Sequence, residues 1–477
     1  RAVLAACWLA AIAMGGDASA GDKSGLFLQK SAVQELPVGA DAPGDAQRRP
    51  EEGWRYPPEA RQFVAAFAPY VGYTGRLKVM GSMKVDGAGL SGTAAQTIGW
   101  SLWGVDPRCW KVPSGVPNAC GIHIHVGESC YADAGGHYWN TTLIEHDPWA
   151  AVTYRSLGLW TVGQTQVVTG LTNYEVLGHT MIVHDSTGAR IACGIITPAT
   201  LKVPAMAPYF SYTGNLRVTG DADVHGFGVT DTAGQYLSWS LSGVDPKCKH
   251  GADSSTPNSC GVHIHQGMSC TEDALGHYWN KTTFSVDPWA TVSYKAGKSR
   301  TSDKYVAASQ DTVVTGFENT LVNGHTLIVH DYSGGRISCG IIAPHKEVTN
   351  AFVKYFTYRG ELNVSGYITV TGSGVLGEAA QHLAWDLAGV DPACSAPPAP
   401  DANPNACGIH IHVGKDCTSD AGGHYFAGGT DPWTAVKYQA SAHGTTFEGA
   451  DVRAVTGLTN YDVLGHTMVV HDATGAR

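Results

Sequence analysis

The stretch Cys120-Gly-Ile-His-Ile-His-Val-Gly-Glu-Ser-Cys130, followed by Gly135-Gly-His-Tyr-Trp-Asn140, recurs twice more along the chain. The second copy is Cys260-Gly-Val-His-Ile-His-Gln-Gly-Met-Ser-Cys270 with Gly276-His-Tyr-Trp-Asn280. The third is Cys407-Gly-Ile-His-Ile-His-Val-Gly-Lys-Asp-Cys417 with Gly422-Gly-His-Tyr425. Two histidines at i and i+2 on a strand project from one face, because strand side chains alternate. Ile124, Ile264 and Ile411 then point into a core. The pattern offers two imidazole nitrogens to a metal, with a third histidine a short loop away.

The copies start at Tyr73-Thr-Gly75, Tyr212-Thr-Gly214 and Tyr358-Arg-Gly360. The interval of roughly 140 residues is that of a globular domain and not of a solenoid repeat. A chain of 477 residues is also too long for a single core. Three tandem domains are expected, over 67–199, 200–346 and 347–477. Leu77 to Val85, Gln96 to Gly104, Gly121 to Gly127, Gln166 to Leu171, His179 to His184 and Arg190 to Ile196 are the strand candidates of repeat one. They are short and alternating, separated by Gly-rich turns, and no long 3.6-period stretch intervenes. That predicts an all-β class, built as antiparallel sandwiches or barrels.

Upstream, Ala2 to Met14 is apolar but too short to span a bilayer, and Ala18-Ser19-Ala20 follows it. Residues 1–20 read as a secretory signal peptide without its start. Residues 21–66, polar and rich in Pro and Gly, read as a linker or pro-segment, with a short helix expected from Glu59 to Phe67. The net charge of −10 leaves no basic patch for nucleic acid, and no other segment approaches membrane length. The oligomeric state is not set by anything in the sequence.

Of 12 cysteines, all but Cys7 fall into the repeats. Four per repeat point to two disulfides each in an oxidising compartment. Cys109 with Cys120, Cys248 with Cys260 and Cys394 with Cys407 bracket short loops that a local bridge would close. Repeat three ends at Arg477 before a fourth cysteine, so the sequence reads as a segment cut at both ends. Asn140, Asn280 and Asn363 head Asn-x-Ser/Thr sequons, marking candidate glycosylation sites.

Each repeat carries a second strand motif. It is Gly178-His-Thr-Met-Ile-Val-His-Asp185, Gly324-His-Thr-Leu-Ile-Val-His-Asp331 and Gly465-His-Thr-Met-Val-Val-His-Asp472. Arg190 with Cys193, and Arg336 with Cys339, follow closely in Gly-x-Arg-Ile-x-Cys-Gly segments. Together the motifs, in this order and three times over, resemble the copper/zinc superoxide dismutase family across some 400 residues.

The resemblance implies three Greek-key β-barrels and one copper per repeat. Its copper ligands would be His123, His125, His137 and His184 in repeat one. They would be His263, His265, His277 and His330 in repeat two, and His410, His412, His424 and His471 in repeat three. Arg190, Arg336 and Arg477 match the arginine that guides the superoxide anion. His137, His277 and His424 match the catalytic proton-handling histidine. The intradomain disulfide would join Cys130 to Cys193 and Cys270 to Cys339. Nitrogen ligands suit Cu(II), and dismutation needs a metal with two accessible oxidation states, which zinc lacks. In Met181 to His184 alternation gives one face to the core and the other to the metal.

The chain departs from the family in two places. The loop that would bind zinc holds only His146 in repeat one, and Val286 stands at that position in repeat two, so zinc is not expected. The long loop before the arginine has shrunk to Asp185–Ala189, so a copper-only site more open to solvent is expected. Asp147, Asp287 and Asp431, each in Asp-Pro-Trp, suit a turn or cap better than support of the third histidine. His179, His325 and His466 are expected to be structural. The expected activity is secreted, copper-dependent superoxide dismutation; the alternative is a non-catalytic extracellular copper-sequestering protein.

Overall fold

In the segment Ala95–Trp103, Ile98, Trp100 and Leu102 are buried while Ser101 and Trp103 face outward. This two-residue period is the hydrophobic pattern of a strand with one side on a core. The computed structural model describes residues 62–90, 93–198, 200–396, 403–446 and 451–477, all within one compact unit. The described chain is all-β, with antiparallel sheets, single-turn helices and short 3-10 turns. The expected signal peptide, and nearly all of the expected linker, lie outside the described residues.

In repeat one the strand order is Ile122–His125, Thr180–His184, Arg190–Pro198, Gln62–Val64, Met80–Ala88, Ala95–Trp103 and Trp160–Val168. Repeat two builds the same neighbours as two sheets. Val262–His265, Thr326–His330, Arg336–Ile341 and Ala207–Pro208 form one, and Leu201–Val203, Thr219–Phe227, Gly234–Ser242 and Tyr305–Val314 belong to the other. In repeat three, Ile409–His412 pairs with Thr467–Val470, while Ser365–Ser373 and Ala380–Ala388 lie in a second sheet. The repeats have separate cores. In repeat one, Val85, Ile98 and Leu102 from one half of the sheet meet Ile122, Ile124, Met181 and Val183 from the other.

Two expectations change. Gln62–Val64 is a strand and not part of a helix; it pairs with both Met83–Val85 and Ile196–Pro198, so repeat one begins before residue 67. The strand expected from Gln166 to Leu171 instead runs Trp160–Val168. Gly170, at φ 71°, has left the extended region there.

Among the described residues five disulfides join Cys109–Cys120, Cys130–Cys193, Cys248–Cys260, Cys270–Cys339 and Cys394–Cys407, and Cys417 is free. Among the described residues no helix is long and apolar enough to cross a membrane.

The repeats touch through equivalent residues. Val229 of repeat two packs on the Cys130–Cys193 bridge of repeat one, and Val375 of repeat three on Cys270–Cys339 of repeat two. Leu90 of repeat one lines the matching hollow of repeat three beside Cys417. The single-turn helices do likewise. Thr320 sits at Gly178, Tyr461 at Gly324 and Tyr174 at Gly465. Gly324 and Gly465 have φ of 87° and 78°, and a Cβ there would lie 2.6 and 2.7 Å from those tyrosine rings. Only glycine meets both demands. The contacts run one to two, two to three and three back to one.

The Cys130–Cys193 bridge closes 63 residues of chain. Replacing both cysteines by serine is expected to cost about 2–5 kcal/mol. Amide exchange should then quicken along Arg190–Pro198 more than along the distant strands of repeat three.

Candidate metal centre

Ile122–His125 pairs antiparallel with Thr180–His184, setting His123 opposite Ile182 and His125 opposite Thr180. Ile122 and Ile124 enter the core, as do Met181 and Val183, which turns His123 and His125 to the other face. Ile182 packs beneath that face on the Cys130–Cys193 bridge. His184 lies just past a register shift, and its N–H donates to the Gly121 carbonyl at 2.8 Å. His137 arrives from the loop as an isolated bridge partner of His125. The ring centroids of His123 and His137 are 4.3 Å apart, and those of His123 and His184 4.9 Å.

This assembly occurs three times. His123, His125, His137 and His184 form one group, His263, His265, His277 and His330 the second, His410, His412, His424 and His471 the third. Within each group one nitrogen per ring lies within 4.8 Å of all the others, and each group could hold a metal ion.

The orientation of each ring follows from its second nitrogen. His123 Nε2 pairs with the Val152 carbonyl, His125 Nδ1 with that of Gly135 and His184 Nδ1 with that of Gly188, each at 3.0 Å. A carbonyl can only accept, so the proton sits on that nitrogen and the lone pair on the other. The remaining atoms, His123 Nδ1, His125 Nε2 and His184 Nε2, are buried with no hydrogen-bond partner. Repeat three leaves the Nε2 atoms of His412, His424 and His471 in the same condition, and both nitrogens of His410. Leaving such groups unsatisfied costs about 1–3 kcal/mol each. Convergent orphan nitrogens are what a metal would satisfy.

Asp147 performs both of the roles weighed for it. Its Oδ2 accepts from His137 Nδ1 at 2.6 Å while Oδ1 accepts from the Trp149 N–H at 2.9 Å. Asp287 and Asp431 repeat the pair of bonds. One carboxylate thus caps a 3-10 turn and orients the third histidine. Trp149 is wholly buried, 6.3 Å from the His123 ring, and donates from Nε1 to the Tyr138 carbonyl. His179 stacks on Tyr138 at 3.9 Å and bonds the Val126 carbonyl, outside the cluster, with His325 and His466 stacked likewise on Tyr278 and Tyr425. His146 is exposed and belongs to none of the groups.

The expected openness is not seen at the ligands. His123, His125 and His184 are each about 1% exposed, and the His137 side chain 9%. Burial, and then the neighbouring imidazoles, push His123 down to about 2. Burial pushes His125 down to about 3 and His184 to about 4. The short loop itself contributes to the site. Asp185 Oδ1 accepts from the Thr187 and Ala189 N–H groups, which curls the turn and aims the Gly188 carbonyl at His184.

Each arginine is held by residues that the sequence did not single out. Arg190 Nη1 donates to Tyr70 Oη and to Asp133 Oδ1, both at 2.6 Å, and Nη2 donates to the Gly135 carbonyl. That is the carbonyl that also receives His125. Arg336 meets Tyr209, Asp273 and the Leu275 carbonyl, and Arg477 meets Tyr355, Asp420 and the Gly422 carbonyl. The signal was present in the repeats. Tyr70, Tyr209 and Tyr355 each stand three residues before the repeat's opening tyrosine, and Asp133, Asp273 and Asp420 each precede an alanine that stands three residues before the third histidine. No known family model matches the chain, and no curated protein matches it.

Gly188 has φ 82°, and a Cβ on it would lie 2.2 Å from the Pro117 carbonyl oxygen. Gly188→Ala is therefore expected to displace the acceptor of His184 and weaken one metal equivalent of three by roughly 10- to 100-fold, read by calorimetric titration. Acid should also act on the metal-free chain. The buried imidazoles titrate below their ordinary value of 6.5 when folded, so below that pH the unfolded chain binds protons that the folded chain refuses. Stability is expected to fall as pH drops below about 6.5 and to go on falling towards about pH 2, measured by urea unfolding at stepped pH, and to fall at least as steeply with metal bound, because the metal keeps the folded imidazoles unprotonated.

Proposed function

We propose that this chain is a secreted, copper-dependent superoxide dismutase with one copper site on each repeat and no zinc. What supports the reading most is the convergence, three times, of one nitrogen from each of four imidazoles, with the opposite nitrogen of every ring but that of His410 already bonded. Four nitrogen donors and no thiolate or carboxylate in the group favour copper among the divalent ions. His123, His125, His137 and His184, with their counterparts in the other repeats, would hold it. Zinc has no place beside His137, since its Nδ1 is bonded to Asp147 and not free for a second metal. Five disulfides suit an oxidising, extracellular compartment. The antiparallel strands that face each other across each repeat's core suit the Greek-key barrel of the copper/zinc superoxide dismutase family.

When bound, copper supplies one-electron cycling between Cu(II) and Cu(I), by which one superoxide gives dioxygen and a second, with two protons, gives hydrogen peroxide. The protein's own part is positional. Backbone carbonyls hold three rings against rotation, and Asp147 holds the fourth. His137, the most exposed of the four rings, keeps its Nδ1 proton on Asp147 and can take and give a proton at Nε2. Arg190, whose charges act on His125 and His184, presents a permanent cation beside them.

The sequestration reading gains from one observation: the cationic charge of Arg190 is matched by Asp133 at 2.6 Å, and a storage site has no need to attract an anion. Metal content and dismutase activity separate the two. The oxidatively folded chain is expected to bind three coppers, one per four-histidine group, and to lose activity on copper removal. Copper binding without activity would leave sequestration, and zinc binding in preference to copper would overturn both.

A further inference from the structure

We propose that Asp133, Asp273 and Asp420, each with its tyrosine, are positioning residues that set how strongly the metal-site arginines draw anions. This deepens the reading of those arginines as the groups that attract superoxide, and it rests on that reading. Asp133 Oδ1 accepts three bonds, from Tyr70 Oη at 2.8 Å, the Gly135 N–H at 3.0 Å and Arg190 Nη1 at 2.6 Å. Tyr70 Oη in turn accepts from the Ala134 N–H at 3.1 Å, and the Arg190 guanidinium lies 5.4 Å from the Tyr70 ring centroid. The tyrosine enters on a short strand, Ala68–Pro69, paired with Ala192 and Cys193, so it is tied to the arginine's own strand. Asp133 sits in the loop that leads to His137. The clamp therefore joins three separate parts of the chain around one guanidinium, and repeats two and three build it from the same residue types.

Two consequences follow from the bond count. A guanidinium has five N–H donors in a fixed fork. Nη1 spends both of its protons on Tyr70 and Asp133, and Nη2 spends one on Gly135. The Nε proton and the second Nη2 proton remain, so any anion must approach along that one edge. Because Nη2 shares the Gly135 carbonyl with His125 Nδ1, the edge is held at a fixed place relative to a metal ligand. The second consequence is electrostatic. Asp133 is 79% exposed and Arg190 28%, and the two together carry no net charge. Tyr70 and the Gly135 N–H, with Arg190, hold the Asp133 carboxyl below its ordinary range, so it stays ionised through mild acid. Anion attraction thus decays as that of a dipole and is weaker at long range than that of a lone cation.

The test replaces the three aspartates together in the full chain by Asp133→Asn, Asp273→Asn and Asp420→Asn. Asparagine keeps an oxygen for the tyrosine, backbone and arginine bonds, so the charge alone is removed. Anion binding is read in two ways. Inorganic phosphate is titrated into the metal-free protein with the arginine Nε–H resonances followed, and azide into the copper-loaded protein with its absorption followed. Both affinities are expected to rise roughly three- to tenfold at low salt, with a steeper ionic-strength dependence than the parent, and to converge with it near 0.5 M salt. Tyr70→Phe, Tyr209→Phe and Tyr355→Phe together should lower both affinities at every salt concentration, since the charge stays while the guanidinium loosens. Unchanged affinity and unchanged salt slope in the folded asparagine variant would overturn the proposal. Tighter phosphate binding in a protein that shows no dismutase activity would uphold the clamp and count against the catalytic reading alone.

Discussion

Everything at the three centres depends on a division of labour within each imidazole. A histidine ring has two nitrogens, and a backbone carbonyl that claims one of them decides the direction of the other. Val152, Gly135 and Gly188 supply those carbonyls in repeat one, from three different loops. The loops in turn are fixed by features of the strands between them: a 3-10 turn capped by Asp147, a hairpin curled by Asp185, and a disulfide under Ile182. The antiparallel strands supply rigidity and the loops supply aim. Neither alone would bring the ring nitrogens within 4.8 Å of one another.

The cost of this arrangement is borne by burial. Rings almost removed from water cannot carry a proton cheaply, and the shifts of His123, His125 and His184 all run downward for that reason. Neutral imidazole is the form that binds a metal, so the site is prepared at the pH where a solvent-exposed histidine would be half protonated. Tyr154 closes the back of the site by donating to the His184 carbonyl at 2.9 Å, and Tyr294 and Tyr438 do the same in the other repeats.

How much of this could be read beforehand depended on distance along the chain. The paired histidines, the core isoleucines between them and five of the six main strands of repeat one follow from a period of two residues, which a sequence displays directly; the sixth, Trp160–Val168, was expected six residues too late. The twelve clustered histidines were legible because each sits in a motif repeated three times. Gln62–Val64 was not: a strand of three residues has too few positions to show a period, and its assignment comes from two neighbours far along the chain. The clamp of Arg190 was missed for a related reason. Tyr70 and Asp133 are 63 residues apart and each is unremarkable in its local context. Asp147 was legible as a cap, but its second oxygen could be assigned only once His137 was placed.

The contacts between repeats have a consequence for assembly. Each repeat offers one surface, the Cys130–Cys193 or Cys270–Cys339 bridge or the free Cys417 together with a glycine, and one matching protrusion, the short helix with Leu90, Val229 or Val375. A surface and a different, complementary surface on identical units make a head-to-tail interface, which grows without limit unless the rotation between units brings the last back to the first. Here the third unit returns to the first through Tyr174 and Gly465. Linkage in one chain makes that closure independent of protein concentration, so the molecule obtains the symmetry of a trimer without the dilution penalty of one.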